Sequence, residues 1–185
     1  MTVTFYVPSL TVDAVIDALG DFLELFVGTA EIIRAQVNRA PFPSGPCVVL
    51  TEILQVDLAT PGITYIPDPA DPDIEGDIAE DRFSARSPKR FDIQIDFYGP
   101  SSGDQCAAVK SVFRTEYAVS QFPAGIKPLY CSDGHQAPLI SGEQQWESRW
   151  VLTASLQVNP EVLIPQQFAD AATVDGFIEV DTEYL

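Results

Sequence analysis

The chain has 185 residues and is strongly acidic, with 27 Asp and Glu against 10 Lys and Arg and a formal net charge of −17. Proteins that grip nucleic acid or anionic lipid need an extended basic surface, so the composition argues against both binding modes. Because 46% of the residues are hydrophobic and only 20% are charged, we expect a folded chain with one self-sufficient core.

Neither export nor membrane attachment is indicated by the sequence. The first ten residues, MTVTFYVPSL, lack a positive start followed by an apolar stretch, and no run approaches the roughly 18 apolar residues that cross a bilayer. We therefore expect a cytosolic protein at synthesis with no membrane contact. Cys47, Cys106 and Cys131 show no CxxC spacing, which predicts small buried hydrophobes and neither a disulfide framework nor a zinc site.

The first predicted element is a helix from Thr11 to Val27, with Thr11 as its N-cap. Its apolar residues recur at the spacing of one helical face: Val12, Val15, Ile16, Leu19, Phe22, Leu23 and Phe26. The polar side carries an acidic stripe of Asp13, Asp17, Asp21 and Glu24. Two interpretations of the acidic stripe stay open: a solvated face, or a face that meets something basic or borders a channel that must not bind DNA.

Two predicted strands flank a long acidic segment. The first runs from Cys47 to Leu58 and places Leu50, Leu54, Val56 and Leu58 on one apolar side. The second alternates Phe91, Ile93, Ile95 and Phe97 with polar residues. Residues 59–88 between them hold five prolines and the run DPADPDIEGDIAED. This arm is predicted to be a loop, either functional or disordered, at the tip of a hairpin formed by the two strands.

The second half adds a helix and a third long strand. The helix starts at Ser101, with Asp104 approximating a capping box, and its predicted buried stripe is Val109, Val112, Phe113 and Tyr117. The strand runs from about Gln145 to Asn159, where Pro160 ends it. Tyr130, Trp146 and Trp150 are predicted to belong to the core.

These elements predict the fold class and its organisation. Helices and strands do not alternate regularly, which favours an α+β domain with a mainly antiparallel sheet and two principal helices packed on one face. We expect a single domain over residues 1–168, with the 59–88 arm inside it, and an acidic C-terminal extension over residues 169–185.

Catalytic patterns are nearly missing from the sequence. His135 is the single histidine, and the Ser132, Asp133 and His135 of CSDGHQAP are too close in the chain to converge readily on one point. The run DPDIEGD matches a calcium loop only faintly, because it contains Pro72 and lacks the terminal Glu. No catalytic residue, cofactor or metal site is predicted. A small acidic hydrolase or binding module that uses His135 is kept as an alternative.

Two stretches of the second half follow a family pattern. In FDIQIDFYGPSSGDQCAAVKSVFRTEY, a strand ending in Tyr-Gly-Pro leads into a helix that closes on residues 113–117. In IKPLYCSDGHQAPLISGEQQWESRW, residues 128–133, 136–139 and 142–145 precede Arg149 and Trp150, and the strand closes on Asn159 and Pro160. This order resembles the neck or tail terminator proteins of long-tailed bacteriophages, over roughly Leu19 to Phe168. The arm and the segment after Phe168 depart from the pattern.

The resemblance implies a structural virion protein and not an enzyme. It implies a homo-hexameric ring that caps the tail tube protein, stops tail polymerisation and docks the head-completion proteins of the neck. DNA would pass through an acidic lumen without specific binding, because acidic groups repel phosphate. The protein would be assembled in the host cytoplasm and would reside in the tail or neck. Another neck or minor tail protein, such as a head-tail stopper, is an alternative.

A closed ring requires a head-to-tail contact between two different surfaces of the subunit. The candidate residues on the acidic side are Asp13, Asp17, Asp21 and Glu24, and those on the basic side are Arg86, Lys89, Arg90, Lys110 and Arg114. Residues 68–81 of the arm are a second acidic candidate. In the competing interpretation, residues 82–90 only balance the charge of their own loop.

Overall fold

The structure is a computed structural model that describes residues 6–36, 45–66, 82–137, 139–140 and 146–165. At 139, 140 and 146 it describes the backbone alone. The helices are α1 (Val12–Val27), α2 (Ser102–Val112) and α3 (Glu116–Gln121). The strands are β1 (Glu31–Arg34), β2 (Cys47–Asp57), β3 (Gly62–Ile66), β4 (Arg82–Arg86), β5 (Lys89–Tyr98), β6 (Ile126–Cys131), β7 (His135–Gln136), β8 (Leu139–Ile140), β9 (Trp146–Glu147), β10 (Arg149–Val158) and β11 (Glu161–Pro165).

The largest sheet has the strand order β1-β2-β5-β10-β6, with β7 also paired to β10. Among these pairs β1 and β2 are parallel and the others are antiparallel. This arrangement confirms the predicted α+β class with a mainly antiparallel sheet. The antiparallel pairing of β2 with β5 confirms the predicted hairpin.

The core lies between the helices and one face of this sheet. Leu19, Phe22 and Leu23 of α1 belong to the same buried cluster as Ile93, Ile95 and Leu152 of the sheet. Thr11 caps α1 as predicted, because its hydroxyl accepts a hydrogen bond from the Ala14 N–H at 3.2 Å. The alternation predicted for β5 is also confirmed, since Phe91, Ile93, Ile95 and Phe97 are all buried.

The second predicted helix is two helices, with a break after Val112. The Thr115 hydroxyl donates to the Val112 carbonyl at 2.7 Å and accepts from the Ala118 N–H, so Thr115 caps a new helix at the break. The prediction that Tyr117 is buried is wrong, because Tyr117 lies on α3 and is 50% exposed. The capping box is also wrong, because the Ser101 side chain makes no capping hydrogen bond.

The apolar side predicted for β2 is wrong beyond Leu50. The register with β5 shifts between Glu52 and Leu54, so that Leu54 lies opposite Asp92 and Val56 opposite Arg90. One extra residue in a strand turns every later side chain to the other face. Leu54 and Val56 consequently point away from the helices, and both are exposed.

Both ends of the predicted loop 59–88 form strands, which corrects that prediction. β4 pairs antiparallel with β3 on one side and with β11 on the other. Ile63, Tyr65 and Phe83 favour extended backbone, and all five prolines lie outside β3 and β4, so none of them interrupts the pairing. β11 follows Pro160, so the chain resumes strand structure where an end was predicted. Residues 67–81, which contain the calcium-like run, lie outside the described residues.

The ribbon formed by β2, β5 and β10 continues into this small sheet. Along the chain, β2 leads into β3, β4 leads into β5, and β10 leads into β11. In the large sheet β5 lies between β2 and β10, and in the small sheet β4 correspondingly lies between β3 and β11. Of the three aromatic residues predicted to be in the core, Trp150 packs against it. Tyr130 is exposed, so that prediction is wrong, and the Trp146 side chain lies outside the described residues.

Candidate subunit interface

The acidic stripe of α1 lies on the outer surface of the helical layer, and all four carboxylates are exposed. Asp13 forms an ion pair with Arg34 of β1, a contact that the sequence did not indicate because it depends on the placement of β1. Within the described residues, Asp17, Asp21 and Glu24 have no ion-pair partner. Asp17 and Asp21 border an open groove of about 640 Å³ beside Phe122.

Three of the basic candidates lie where the two sheets meet. The Lys89 ammonium is 3.3 Å from Asp57, and the Arg90 guanidinium is 3.1 Å from Asp92. These two residues therefore have carboxylate partners in the large sheet, and both partners lie outside the 59–88 loop. Arg86 is exposed at the end of β4 and pairs with no carboxylate in the described part of the chain.

The other two basic candidates lie at the end of α2. Lys110 forms an ion pair with Asp133, and the hydrogen bond between them lowers the pKa of the Asp133 carboxyl and raises the pKa of Lys110. Both groups are at the surface, so solvent screens the pair. Arg114 follows α2, is exposed and has no ion-pair partner among the residues described.

The nine candidate residues thus occupy three separate places. The four acids share one helical face, Arg86 to Arg90 lie at the junction of the sheets, and Lys110 and Arg114 lie in the last turn of α2 and just after it. Asp17, Asp21 and Glu24 on the acidic side, and Arg86 and Arg114 on the basic side, have charges that the described part of their own subunit leaves unpaired.

The residues around His135 do not form a catalytic relay. The Ser132 hydroxyl accepts from the Thr153 N–H at 2.9 Å and lies 3.3 Å from the Asp133 carbonyl. The Asp133 carboxylate is paired with Lys110. Both side chains are therefore engaged elsewhere, and the His135 side chain is exposed.

Metal-ligating clusters and membrane-spanning helices are both missing from the described ranges. No group of three or more His, Cys, Asp or Glu side chains there is placed to hold a metal ion. No helix in those ranges is long and apolar enough to cross a membrane.

A buried polar cluster on the sheet face opposite the helices was missed by the sequence reasoning. Asp96 is only 3% exposed. It accepts from Arg149 Nε at 3.1 Å and Nη2 at 2.9 Å, and from Gln94 Nε2 at 2.9 Å. The Arg149 guanidinium also lies 5.7 Å from the centre of the Tyr98 ring. The alternation of β5 indicates that Asp96 lies on its polar side. It does not indicate that Asp96 is buried, because that burial depends on residues of the neighbouring strands.

Burial of the cysteines predicts slow thiol chemistry. Cys47 and Cys106 are buried and Cys131 is partly buried, and burial raises the pKa of Cys47 to about 11 and that of Cys131 to about 12. At pH 8, we expect alkylation of these two residues to be at least about 100-fold slower in the native state than in the unfolded chain, because the thiolate is the reactive form. Since the folded pKa exceeds the unfolded one, the native state also loses stability as the pH rises from about 8.5 toward 11.

Iodoacetamide labelling followed by peptide mapping, with and without denaturant, measures this protection. The unfolded chain is the internal control for intrinsic reactivity. Native-state labelling of Cys131 at the rate of the unfolded chain would contradict the burial described here.

Comparison with known proteins adds the identification that the geometry alone does not supply. No individual curated protein gives a significant match to the sequence. The family model described as "Phage neck terminator protein" matches residues 13–184, which is nearly the whole chain and includes the helices apart from Val12, all the sheets and all nine candidate residues. The chain therefore belongs to the phage neck terminator protein family.

Proposed function

We propose that this protein forms a closed ring of six copies on the head-proximal end of the tail tube. There it stops tail polymerisation and joins the tube to the head-completion proteins, after assembly in the host cytoplasm. The observation that carries the proposal is the family match over residues 13–184. A phage neck terminator is a structural protein of the virion that contacts other phage proteins, so its working surfaces are interfaces.

The acidity of the chain supports a passage for DNA through the ring. Six copies carry six times the formal charge of −17, or −102. Carboxylates that face a lumen repel phosphates, so DNA slides through without binding. The basic groups that could retain DNA are few, and Lys89, Arg90 and Lys110 each have a carboxylate partner within the subunit.

Ring closure is proposed to join the acidic stripe of one subunit to the basic candidates of the next. A head-to-tail contact joins two different surfaces, and the acidic stripe and the exposed Arg114 lie on different parts of the subunit. In this scheme Asp17 and Asp21 of one subunit face Lys110 and Arg114 of the next. Arg86, Lys89 and Arg90 would contribute on the basic side, and the 68–81 arm would reach a neighbouring subunit or the tail tube.

Charge reversal tests this pairing. The double substitution Asp17→Lys and Asp21→Lys is expected to weaken ring assembly by about tenfold or more at low salt, because like charges then meet at the contact. The defect should shrink at high salt, since salt screens surface charges. Sedimentation of assembled rings at two salt concentrations measures both effects.

The matched control is Asp104→Lys with Glu147→Lys, which changes the net charge equally at exposed positions outside the stripe. Adding Arg114→Glu to the stripe variant should restore part of the assembly. Ring formation that is unaltered by the stripe variant at both salt concentrations would rule out the pairing.

Deletion of the gene tests the proposed function itself. Without the protein, tail tubes are expected to vary in length beyond the normal value and to remain unattached to heads, as seen by electron microscopy of the lysate. Expression of the intact chain from a plasmid should restore uniform tails. Infectious particles with normal tails in the absence of the protein would overturn the proposal.

This function has two alternatives. Another neck or minor tail role, such as a head-tail stopper, also fits the family at a coarse level, and it predicts uniform tails that fail only to join heads. A hydrolase centred on His135 gains no support from the engaged Ser132 and Asp133 side chains.

A further inference from the structure

The small sheet has one entirely apolar face. Cross-strand register places Ile63 beside Ala85 and Val162, and Tyr65 beside Phe83 and Ile164. Ile63 and Tyr65 are 59% and 60% exposed, and none of the other four is fully buried. A sheet normally buries its apolar face against another layer, and no described part of the chain provides that layer.

The same region has a free edge. β1 pairs only with residues 47–50 of β2, so β2 from Thr51 to Asp57 has no strand on its outer side in the described structure. β3 continues this edge as the terminal strand of the small sheet. Seven of the fourteen exposed large hydrophobic side chains found among the described residues lie between Ile53 and Ile66. We call Ile53, Leu54, Val56, Leu58, Ile63 and Tyr65 the ribbon patch.

A second exposed apolar group lies at the opposite end of the large sheet. Tyr130 of β6 is exposed, as are Tyr117 and Val119 of the adjoining α3. Lys127 of β6 ties the two elements together by donating to the Val119 carbonyl at 3.2 Å. We call Tyr117, Val119 and Tyr130 the β6 patch.

Leu54 of the ribbon patch and Tyr130 of the β6 patch point to the same face of the sheet. Leu54 lies opposite Asp92, Asp92 opposite Ser155, and Ser155 opposite Tyr130, and opposed residues of neighbouring strands point to the same side. β2 and β6, on which these residues lie, are separated by three inter-strand spacings across β5 and β10, a distance of about 14 Å. A second sheet that continues the first in its own plane therefore brings the ribbon patch of one subunit against the β6 patch of the other.

Charge favours a second copy as the occupant. Copies with a net charge of −17 repel one another, so self-association requires surfaces poor in acid. The ribbon patch itself is uncharged, and on its edge Asp57 is neutralised by Lys89, which leaves Glu52. The β6 patch is bordered by the cations Arg114 and Lys127 and by the exposed Glu116, which leaves this rim net positive. Arg114 is exposed and unpaired with any described carboxylate. This gives a complementary rim around an apolar centre.

We propose that the ribbon patch of one subunit packs against the β6 patch of a second copy of this chain. The contact joins two different surfaces at opposite ends of one sheet, which is the geometry that a closing ring needs. The inference deepens the proposed ring and rests on it for closure. It also gives the exposed edge strand a partner that prevents uncontrolled aggregation.

Site-specific photo-cross-linking tests the contact in assembled particles. A benzophenone amino acid replaces Val56 in one variant and Ile63 in another, and the matched control carries it in place of Asp104, an exposed residue of α2 outside both patches and the acidic stripe. After irradiation, both patch variants are expected to give an adduct of two copies, with the probe joined to the peptide that contains residues 117–130. The reciprocal probe in place of Tyr130 should label the peptide that contains residues 53–66. The Asp104 variant should give neither product.

Each other outcome overturns the proposal. An adduct with a different protein assigns the ribbon patch to another neck or tail component, and a self-adduct at another peptide assigns a different subunit contact. If the probes at Val56 and Ile63 give no adduct between two copies, the ribbon patch is covered by its own subunit or is not covered at all. Since all four probe positions are exposed, the variants should fold, and incorporation into particles verifies this. The deletion phenotype is independent of these results, so the ring's function and this contact can fail separately.

Discussion

Replacing Phe22 by alanine is expected to lower the free energy of unfolding by about 3–5 kcal/mol, the range for a fully packed Phe truncated in a core. Phe22 is 2% exposed. Its ring centre lies 5.1 Å from that of Phe26, 5.8 Å from Phe113 and 5.2 Å from Phe122. One side chain thus connects α1 to the ends of α2 and α3, and its loss leaves a cavity where these helices meet. In a chain of this size, the melting midpoint should fall by about 6–20 °C.

Thermal and urea unfolding followed by circular dichroism measure this loss. Leu25→Ala, on the same helix but 52% exposed, is the matched control and should change stability by no more than about 0.5 kcal/mol. Phe22→Leu should fall between the two. Equal stability of the Phe22→Ala and Leu25→Ala variants would contradict the packing of α1 described here.

Replacing Asp96 by alanine is expected to cost about 3 kcal/mol, since it leaves the largely buried Arg149 without its counter-charge and Gln94 without its acceptor. Asp96 holds both groups on the sheet face opposite the helices. The cost arises mainly from desolvated groups left unpaired. Removing both charges should therefore cost less than removing one.

The double variant Asp96→Ala with Arg149→Met tests that reasoning. We expect it to be more stable than Asp96→Ala alone, because methionine fills the space of the arginine stem without an uncompensated charge. Denaturant midpoints of the two single variants and the double variant complete the cycle. Strictly additive losses would show that Asp96 and Arg149 do not depend on each other.

The regular parts of the fold could be predicted because their periodicity is local. The apolar face of α1 and the alternation of β5 follow from spacing alone, and Thr11 signals the helix start through its own hydroxyl. The hairpin of β2 with β5 follows from the preference of successive strands to pair.

The errors arose where distant residues decide the structure. The shift at Glu52 depends on the register with β5, and no local feature of β2 reveals that Leu54 and Val56 turn outward. β4 is stabilised by pairing with β3 on one side and with β11 on the other. β11 is distant in sequence: the hydrogen bond between Ser84 of β4 and Glu161 of β11 joins residues that are 77 positions apart. The Thr115 hydroxyl makes two hydrogen bonds that end α2 and begin α3, and the spacing of apolar residues gives no sign of them.

For the candidate interface, the sequence indicated which residues are charged and on which face of a helix they lie. It could not indicate which charges are already paired. Asp13 with Arg34, and Lys110 with Asp133, are brought together from different elements. The ribbon patch was hidden for the same reason, since its exposure follows from the register shift in β2 and from the short length of β1.

A reconstruction of the neck in intact particles by cryo-electron microscopy tests the central claim most directly. It should show one closed ring of six copies of this chain between the head-proximal end of the tail tube and the head-completion proteins, with density that fits both sheets and the helical layer. Absence of the chain from this position, or its presence there without ring closure, would contradict the account.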